Sequence, residues 1–167
     1  NYLSEMSLIA INSNATIDKF IGDAILSFHG APDTLGDEND AVRCIGMALE
    51  MRERVNELQS FWIKQGVKND LKVRYGISSG YANVGDFGSN VLSDYTAIGS
   101  SVNLASRLQS IAPENEIIIS ETTYNLIKSQ IICDKFEQIT PKGFVRPIQT
   151  YRVLEFKNKQ AKIFKKS

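Results

Sequence analysis

The sequence predicts an α+β sandwich, a single domain in which helices and strands mix without a strict alternation. Three stretches carry this prediction. Residues 39–65 repeat apolar side chains in steps of three and four, as an amphipathic helix does. Residues 71–77 alternate apolar and polar side chains, which indicates a half-buried strand. Two short apolar runs flank Gly22-Asp23, and the chain of 167 residues is long enough to bury a core.

The first third of the chain predicts a helix followed by a hairpin. Residues 3–11 place apolar side chains at helical spacing. Residues 17–21 and 24–28 are two strand-like runs joined by Gly22-Asp23. Glycine at the first loop position suits a tight primed turn, which would place the Asp23 carboxylate at an exposed tip. A loop rich in glycine, proline and aspartate leads from the hairpin to the long helix.

The second half of the chain predicts an alternation of short elements. Ser120 is a good N-cap for the last helix. No helix or strand is predicted between residues 128 and 149. The predicted elements are a glycine-rich hairpin arm around residues 84–92, a return strand at 95–98, a helix at 99–110, a strand at 116–119, a helix at 120–128 and a closing strand at 149–156.

Composition excludes several classes of function. Lysine plus arginine equals aspartate plus glutamate at 19 each, so nucleic acid is not an expected partner. The two cysteines lie far apart, and the single histidine cannot build a histidine-rich metal site. These features and the lack of a long apolar run indicate a cytoplasmic domain. We expect the domain to span residues 1–156 and a basic, solvated tail to span 157–167.

Polar side chains on two segments are candidates for ligand binding. Asn103 and Arg107 lie four residues apart and therefore share one face of their helix, where an amide and a guanidinium suit a sugar oxygen and a phosphate. Lys142 and Arg146 lie in a loop and could reach an anion. Spacing alone favours the plainer interpretation that these are solvated polar faces. Asp18 and Asp23 have opposite parity in the hairpin and need not face each other.

Six ordered runs make the chain resemble the catalytic domain of class III nucleotidyl cyclases, the adenylate and guanylate cyclases. The resemblance covers about residues 1–155 and implies a ferredoxin-like α/β sandwich. The runs are IDKFIGDAI, HGAP, VRYGISSGYANVGDFGS, DYTAIGSSVNLASRL, IIISETTY and KGFVRPIQTY.

The resemblance assigns roles to three residues near the base and the metals. Asp23 matches the second metal-binding aspartate of the family. Lys19 matches the lysine that reads the purine, and Thr96 matches its partner in base selection. Lysine with threonine is the adenine-type pairing, whereas guanylate cyclases typically carry glutamate with a small residue or cysteine. The resemblance therefore implies ATP as the substrate.

Three further residues match positions that contact the ribose and the phosphates. Asn103 matches the asparagine that orients the ribose, and Arg107 matches the arginine that stabilises charge on the reacting phosphate. Lys142 matches the lysine that holds the terminal phosphates. The implied reaction is attack of the 3′-hydroxyl of ATP on its own α-phosphate, which gives 3′,5′-cyclic AMP and pyrophosphate. Two divalent cations, Mg²⁺ or Mn²⁺, would assist it.

The resemblance also implies partners and a missing piece. Family active sites lie at a head-to-tail dimer interface, so we expect a homodimer, with an upstream sensor or regulatory domain in the parent protein. The first metal aspartate of the family has no match among the residues before Lys19. We expect that the first strand and first helix are absent, that their loss leaves a gap or exposed strand edges, and that this chain alone is inactive.

Two other functions compete with an adenylate cyclase. One is a non-catalytic, cyclase-like module that binds nucleotide or dimerises to regulate a partner. The missing aspartate favours it, whereas the presence of all six matching residues disfavours it. The other is a guanylate cyclase, which Lys19 and Thr96 disfavour.

Overall fold

The computed structural model describes residues 1–68, 70–89 and 92–158, with the backbone alone at 88, 89 and 92–94. All but the first two residues of the predicted basic tail therefore lie outside the described residues. The elements in chain order are α1 (Tyr2–Asn12), β1 (Thr16–Ile21), β2 (Ala24–Phe28), α2 (Asp37–Lys64), β3 (Tyr75–Ile77), β4 (Asn83–Ser89), β5 (Leu92–Ile98), α3 (Ser100–Ile111), β6 (Ile117–Ser120), α4 (Glu121–Ile127), β7 (Ile131–Ile139) and β8 (Ile148–Phe156).

The described strands form one main sheet and two hairpins. The main sheet has the order β3-β6-β8-β7, with β3 parallel to β6 and the other neighbours antiparallel. The hairpins are β1-β2 and β4-β5, both antiparallel. Helices cover a mixed sheet without a regular βαβ order, so the predicted α+β class is confirmed.

Helices cover both faces of the main sheet. On β6, Ile117 and Ile119 belong to the apolar cluster that includes residues of α2, such as Ile45. Ile118 between them packs with Leu104 and Leu108 of α3 instead. This alternation follows from the period of two in a strand, and burial on both faces explains why β6 is continuously apolar.

A separate apolar cluster joins α1 to α2 and the first hairpin. Met6 and Ala10 of α1 pack with Met47 and Met51 of α2, and Ile17 and other partly buried residues lie against them. No backbone pairing joins β1 or β2 to β3 among the described strands. Side-chain packing on α2, rather than a hydrogen-bonded ladder, therefore connects the hairpin to the main sheet in the described part of the chain.

The predicted strand at residues 71–77 is shorter in the structure, where only Tyr75–Ile77 pairs with a neighbour. The reason lies in a loop residue. The Asn115 side chain accepts a hydrogen bond from the Val73 backbone N–H at 3.2 Å. The Asn115 backbone N–H donates to the Val73 carbonyl at 2.6 Å. The backbone polar groups of Val73 are therefore satisfied outside a ladder.

Strand β7 has no counterpart among the predicted elements. It is an edge strand of the main sheet, and charged residues such as Asp134, Lys135 and Glu137 occupy it. Its pairing with β8 shifts register twice, between Ile132 and Cys133 and again between Lys135 and Gln138. These irregularities break the alternation of buried and exposed side chains, which is the pattern that reveals a strand in a sequence.

His29 makes the local hydrogen bonds of a packed histidine. Its Nε2 lies 3.2 Å from the Ser13 carbonyl and 3.3 Å from the Ser13 hydroxyl. Its Nδ1 is buried without a hydrogen-bond partner in the described part of the chain. Burial lowers the pKa of His29, and the hydrogen bond to Ser13 opposes this only in part.

The depressed pKa of His29 predicts an acid-sensitive fold. In the unfolded chain His29 has a pKa of about 6.5. Below this pH, the unfolded chain binds a proton at His29 more readily than the folded chain does. The free energy of unfolding should therefore fall as the pH is lowered through about 6.5, by at most about 1.4 kcal/mol per pH unit. Urea unfolding at several pH values measures this slope. His29→Gln should flatten it, because the chain has one histidine; an equal slope in the variant would refute the assignment.

Candidate active site

Asp23 lies at the tip of the first hairpin. Gly22 has φ +62°, the left-handed conformation that a primed turn needs at its first position. Ile21 pairs with Ala24 across the turn, and the Asp23 side chain is exposed. It makes no hydrogen bond or ion pair with the residues that the structure describes. Its charge adds to the effect of burial in raising the pKa of Tyr2, so the start of α1 lies near the tip.

Three polar residues meet where β1 contacts β5. The Thr96 hydroxyl lies 2.9 Å and 2.7 Å from the two carboxylate oxygens of Asp18 and donates to them. The Ala97 backbone N–H donates to the Asp18 Oδ2 at 3.0 Å. The Lys19 Nζ lies 3.6 Å from the Asp18 Oδ1. The Asp18 side chain is only 1% exposed, whereas that of Lys19 is 52% exposed.

A β-bulge explains how neighbouring residues of β1 reach the same partner. Ile17 pairs with Ser27 and Lys19 pairs with Leu26, so Asp18 is an extra residue in the ladder. Side chains of adjacent residues in a regular strand point to opposite faces, and a bulge re-aims one of them. Asp18 and the Lys19 ammonium can therefore lie together beside Thr96.

A second group of polar residues lines a cavity of about 280 Å³ between α3 and the loop before β8. Asn103 and Arg107 lie on one face of α3, as their spacing predicts, and Lys142 lies across from them. Leu104, Pro141 and Phe144 complete the lining. Among the described residues, neither Arg107 nor Lys142 has an ion-pair partner, so two cations converge on the cavity without a protein carboxylate to neutralise them.

The structure thus divides the six predicted site residues into three places. Asn103, Arg107 and Lys142 share the cavity. Lys19 and Thr96 share the Asp18 carboxylate. Asp23 lies alone at the hairpin tip. The described lining of the cavity does not include Lys19, Thr96 or Asp23.

The chain matches the family model for the adenylate and guanylate cyclase catalytic domain over residues 6–155. The match takes in the hairpin, the Asp18 cluster and the cavity. The chain belongs to this cyclase family. The sequence-based family assignment is therefore confirmed, and so is the fold.

Known cyclases of both base specificities are similar to this cyclase domain. The crystal structure of the adenylyl cyclase CyaB from P. aeruginosa matches with a TM-score of 0.88 and 48% identity over 93% of this chain and 79% of that one. The guanylate cyclase domain of RhGC from Catenaria anguillulae, in complex with GTP, matches with a TM-score of 0.78 and 28% identity over 93% and 81%. Adenylate cyclase 1 of Rhizobium meliloti is 32% identical over 108 residues, 65% of this chain and 16% of that protein.

The residues of the cyclase domain fit a divalent metal in part. Mg²⁺ usually takes one or two carboxylates, with water and substrate phosphates as its other ligands. The exposed carboxylate of Asp23 suits such a role. No group of three or more histidine, cysteine or acidic side chains that could hold a metal occurs in the described ranges. A site at Asp23 would need ligands beyond these residues, and nucleotide phosphates are one source of them.

Asp18 is the site residue that the sequence analysis missed. The odd spacing between Asp18 and Asp23 in the hairpin indicated only that the two carboxylates need not face each other. In the structure the Asp18 side chain is buried and the Asp23 side chain is exposed. A usable signal exists, because a carboxylate inside the apolar strand run TIDKFI is costly to bury without a partner.

Within the described chain, no helix has the length and apolar run needed to cross a membrane.

Proposed function

We propose that this cyclase domain is an adenylate cyclase, which converts ATP to 3′,5′-cyclic AMP and pyrophosphate. The observation that carries the proposal is the cavity where the Asn103 amide, the Arg107 guanidinium and the Lys142 ammonium converge. This combination suits a ribose and a polyphosphate, because guanidinium and ammonium groups bind phosphate oxygens. The adenine preference rests on Lys19 and Thr96, the pair that resembles the adenine-type positions.

Each residue then has a role in positioning or in charge stabilisation. Asn103 orients the ribose so that its 3′-hydroxyl lies in line with the α-phosphate. Arg107 stabilises the negative charge that develops on this phosphate in the transition state, and Lys142 holds the departing pyrophosphate. In-line phosphoryl transfer depends mainly on such positioning and electrostatic stabilisation.

Asp23 would hold the divalent cations, Mg²⁺ or Mn²⁺. Such ions lower the pKa of the attacking hydroxyl and neutralise phosphate charge when bound. The carboxylate lies at an exposed tip rather than in the cavity, so we infer that the complete site forms in a homodimer. In that arrangement, Asp23 of one protomer serves a nucleotide held by residues of its partner.

The base preference is tested by exchanging the two base-reading residues. Lys19→Glu combined with Thr96→Cys should change the ratio of kcat/KM for ATP to that for GTP by about 100-fold toward GTP. Position 19 exchanges a donor for an acceptor, and a thiol at position 96 is a weaker acceptor than the Thr96 hydroxyl, so each substitution contributes about 1.4 kcal/mol. Steady-state assays of the full-length protein with each nucleotide measure the ratio.

A matched control carries the same substitutions elsewhere. Lys128→Glu with Thr122→Cys alters exposed residues at α4 and should leave the ratio unchanged. An unchanged ratio in the Lys19 and Thr96 variant, in an active dimer, would refute the adenine assignment. A wild-type protein that prefers GTP would indicate a guanylate cyclase, and one that binds nucleotide without turnover would indicate the regulatory module.

A further inference from the structure

Asp18 fixes the direction of the hydrogen bond at Thr96. A threonine hydroxyl has one proton to donate and two lone pairs that accept. The two oxygens of Asp18 lie 2.9 Å and 2.7 Å from the hydroxyl, and a carboxylate offers acceptors alone. The hydroxyl proton is thus committed to Asp18, and a ligand that meets Thr96 encounters lone pairs.

Asp18 is itself held in one position. The Ala97 N–H, on the residue next to Thr96, donates to Asp18 Oδ2. The Lys19 ammonium lies beside Oδ1. The bulge at Asp18 directs the side chain into this contact, where it is 1% exposed. A buried carboxylate with these partners has little freedom to rotate away, because leaving them would leave its oxygens unsatisfied.

From this geometry we propose that Asp18 is a specificity-determining positioning residue, which makes Thr96 an obligate hydrogen-bond acceptor toward the purine. The inference rests on the proposed function, in which Thr96 faces the base. An acceptor suits the 6-amino group of adenine, which donates. It opposes the 6-oxo group of guanine, which also accepts, so the threonine selects adenine only while Asp18 holds its proton.

The proposal predicts the behaviour of a nearly isosteric variant. In Asp18→Asn, the amide oxygen can keep the Ala97 N–H, which turns the amide nitrogen toward Thr96 and Lys19. The Thr96 hydroxyl can then accept from the amide nitrogen, so its proton is no longer committed to residue 18 and becomes available to a ligand. Its preference for a 6-amino group should be lost, whereas a purely structural defect would weaken all nucleotides alike.

The experiment measures affinities of the full-length protein for ATP, GTP and purine riboside triphosphate, which lacks any 6-substituent but keeps the ring nitrogen N1. Competition against a fluorescent ATP analogue gives each dissociation constant without requiring turnover. We expect the wild type to bind ATP about tenfold more tightly than purine riboside triphosphate, the loss expected for one hydrogen bond. Asp18→Asn should reduce this ratio to near one and lower the ATP-to-GTP ratio by about tenfold.

Two further variants complete the design. Asp134→Asn makes the same change at an exposed strand position and should leave both ratios unaltered. Asp18→Ser is a second replacement in case Asp18→Asn does not fold, and the same loss of discrimination is expected. Equal wild-type affinities for ATP and purine riboside triphosphate overturn the inference without any variant, as do unchanged ratios in a folded Asp18 variant.

Cyclase activity is measured on the same samples, which separates the two proposals. Loss of discrimination at Asp18 in a protein that makes no cyclic nucleotide supports the inference and refutes the adenylate cyclase. Unchanged discrimination in a protein that makes cyclic AMP refutes the inference about Asp18 and supports the adenylate cyclase.

Discussion

Replacing Asp23 with alanine is expected to lower the rate of cyclic nucleotide formation by about 10³-fold or more. Metal ions contribute several kcal/mol to such reactions, and each 1.4 kcal/mol is about tenfold in rate. Asp23 is the exposed carboxylate of the hairpin tip, and no hydrogen bond or ion pair to a described residue depends on it. The fold should therefore survive, with the midpoint of thermal unfolding close to that of the wild type.

The assay compares initial rates of the wild type, Asp23→Ala and Asp33→Ala in the full-length protein with Mn²⁺. Asp33 is an exposed carboxylate in the loop after β2, so its loss controls for a general change in surface charge. The Asp33→Ala variant should retain wild-type activity. If Asp23→Ala kept more than about a tenth of the wild-type rate, Asp23 would not be a metal ligand.

Replacing Gly76 with alanine is expected to destabilise the domain by about 3 kcal/mol or more. Gly76 lies in β3 against the backbone of α3. A Cβ at this position would lie 2.2 Å from the Gln109 nitrogen and 2.3 Å from the Ala105 carbonyl oxygen. Neither atom belongs to a flexible side chain, so the strand or the helix must move. Because α3 carries Asn103 and Arg107, such movement would also disturb the cavity.

Urea unfolding of Gly76→Ala measures this destabilisation, with Gly85→Ala as the matched control. Gly85 also lies in a strand, β4, and the nearest atom to its added Cβ is a Phe87 ring carbon at 4.0 Å. The control should change the free energy of unfolding by no more than about 0.5 kcal/mol. Equal effects of the two substitutions would show that β3 does not need the close approach to α3.

The helices and the first hairpin were predictable because their signals are local. The apolar stripe of α2 follows from its spacing, and Ser120 caps α4 through a hydrogen bond from the Thr123 N–H at 3.3 Å. Gly22 and the runs beside it define the first hairpin turn. Strand β7 and the true start of β3 depend on register shifts and on the contacts of Asn115, which are set by tertiary structure rather than by a repeating pattern.

The candidate site was predictable to a similar extent. Arg107 and Asn103 share a helix face because they lie four residues apart, and this holds in the structure. The position of Lys142 across the same cavity was not predicted, because it depends on how the loop before β8 lies against α3. The partnership between Asp18 and Thr96 joins residues on different strands through a bulge, and no period in the sequence encodes a bulge.

Chromatography of the reaction products shows whether this domain makes cyclic AMP. The full-length protein, shown to dimerise, is incubated with Mn-ATP and separately with Mn-GTP, and the cyclic nucleotides are separated and quantified. We expect cyclic AMP from ATP, in clear excess over cyclic GMP from GTP. Absence of product from both nucleotides in a verified dimer would contradict it and indicate the regulatory module instead.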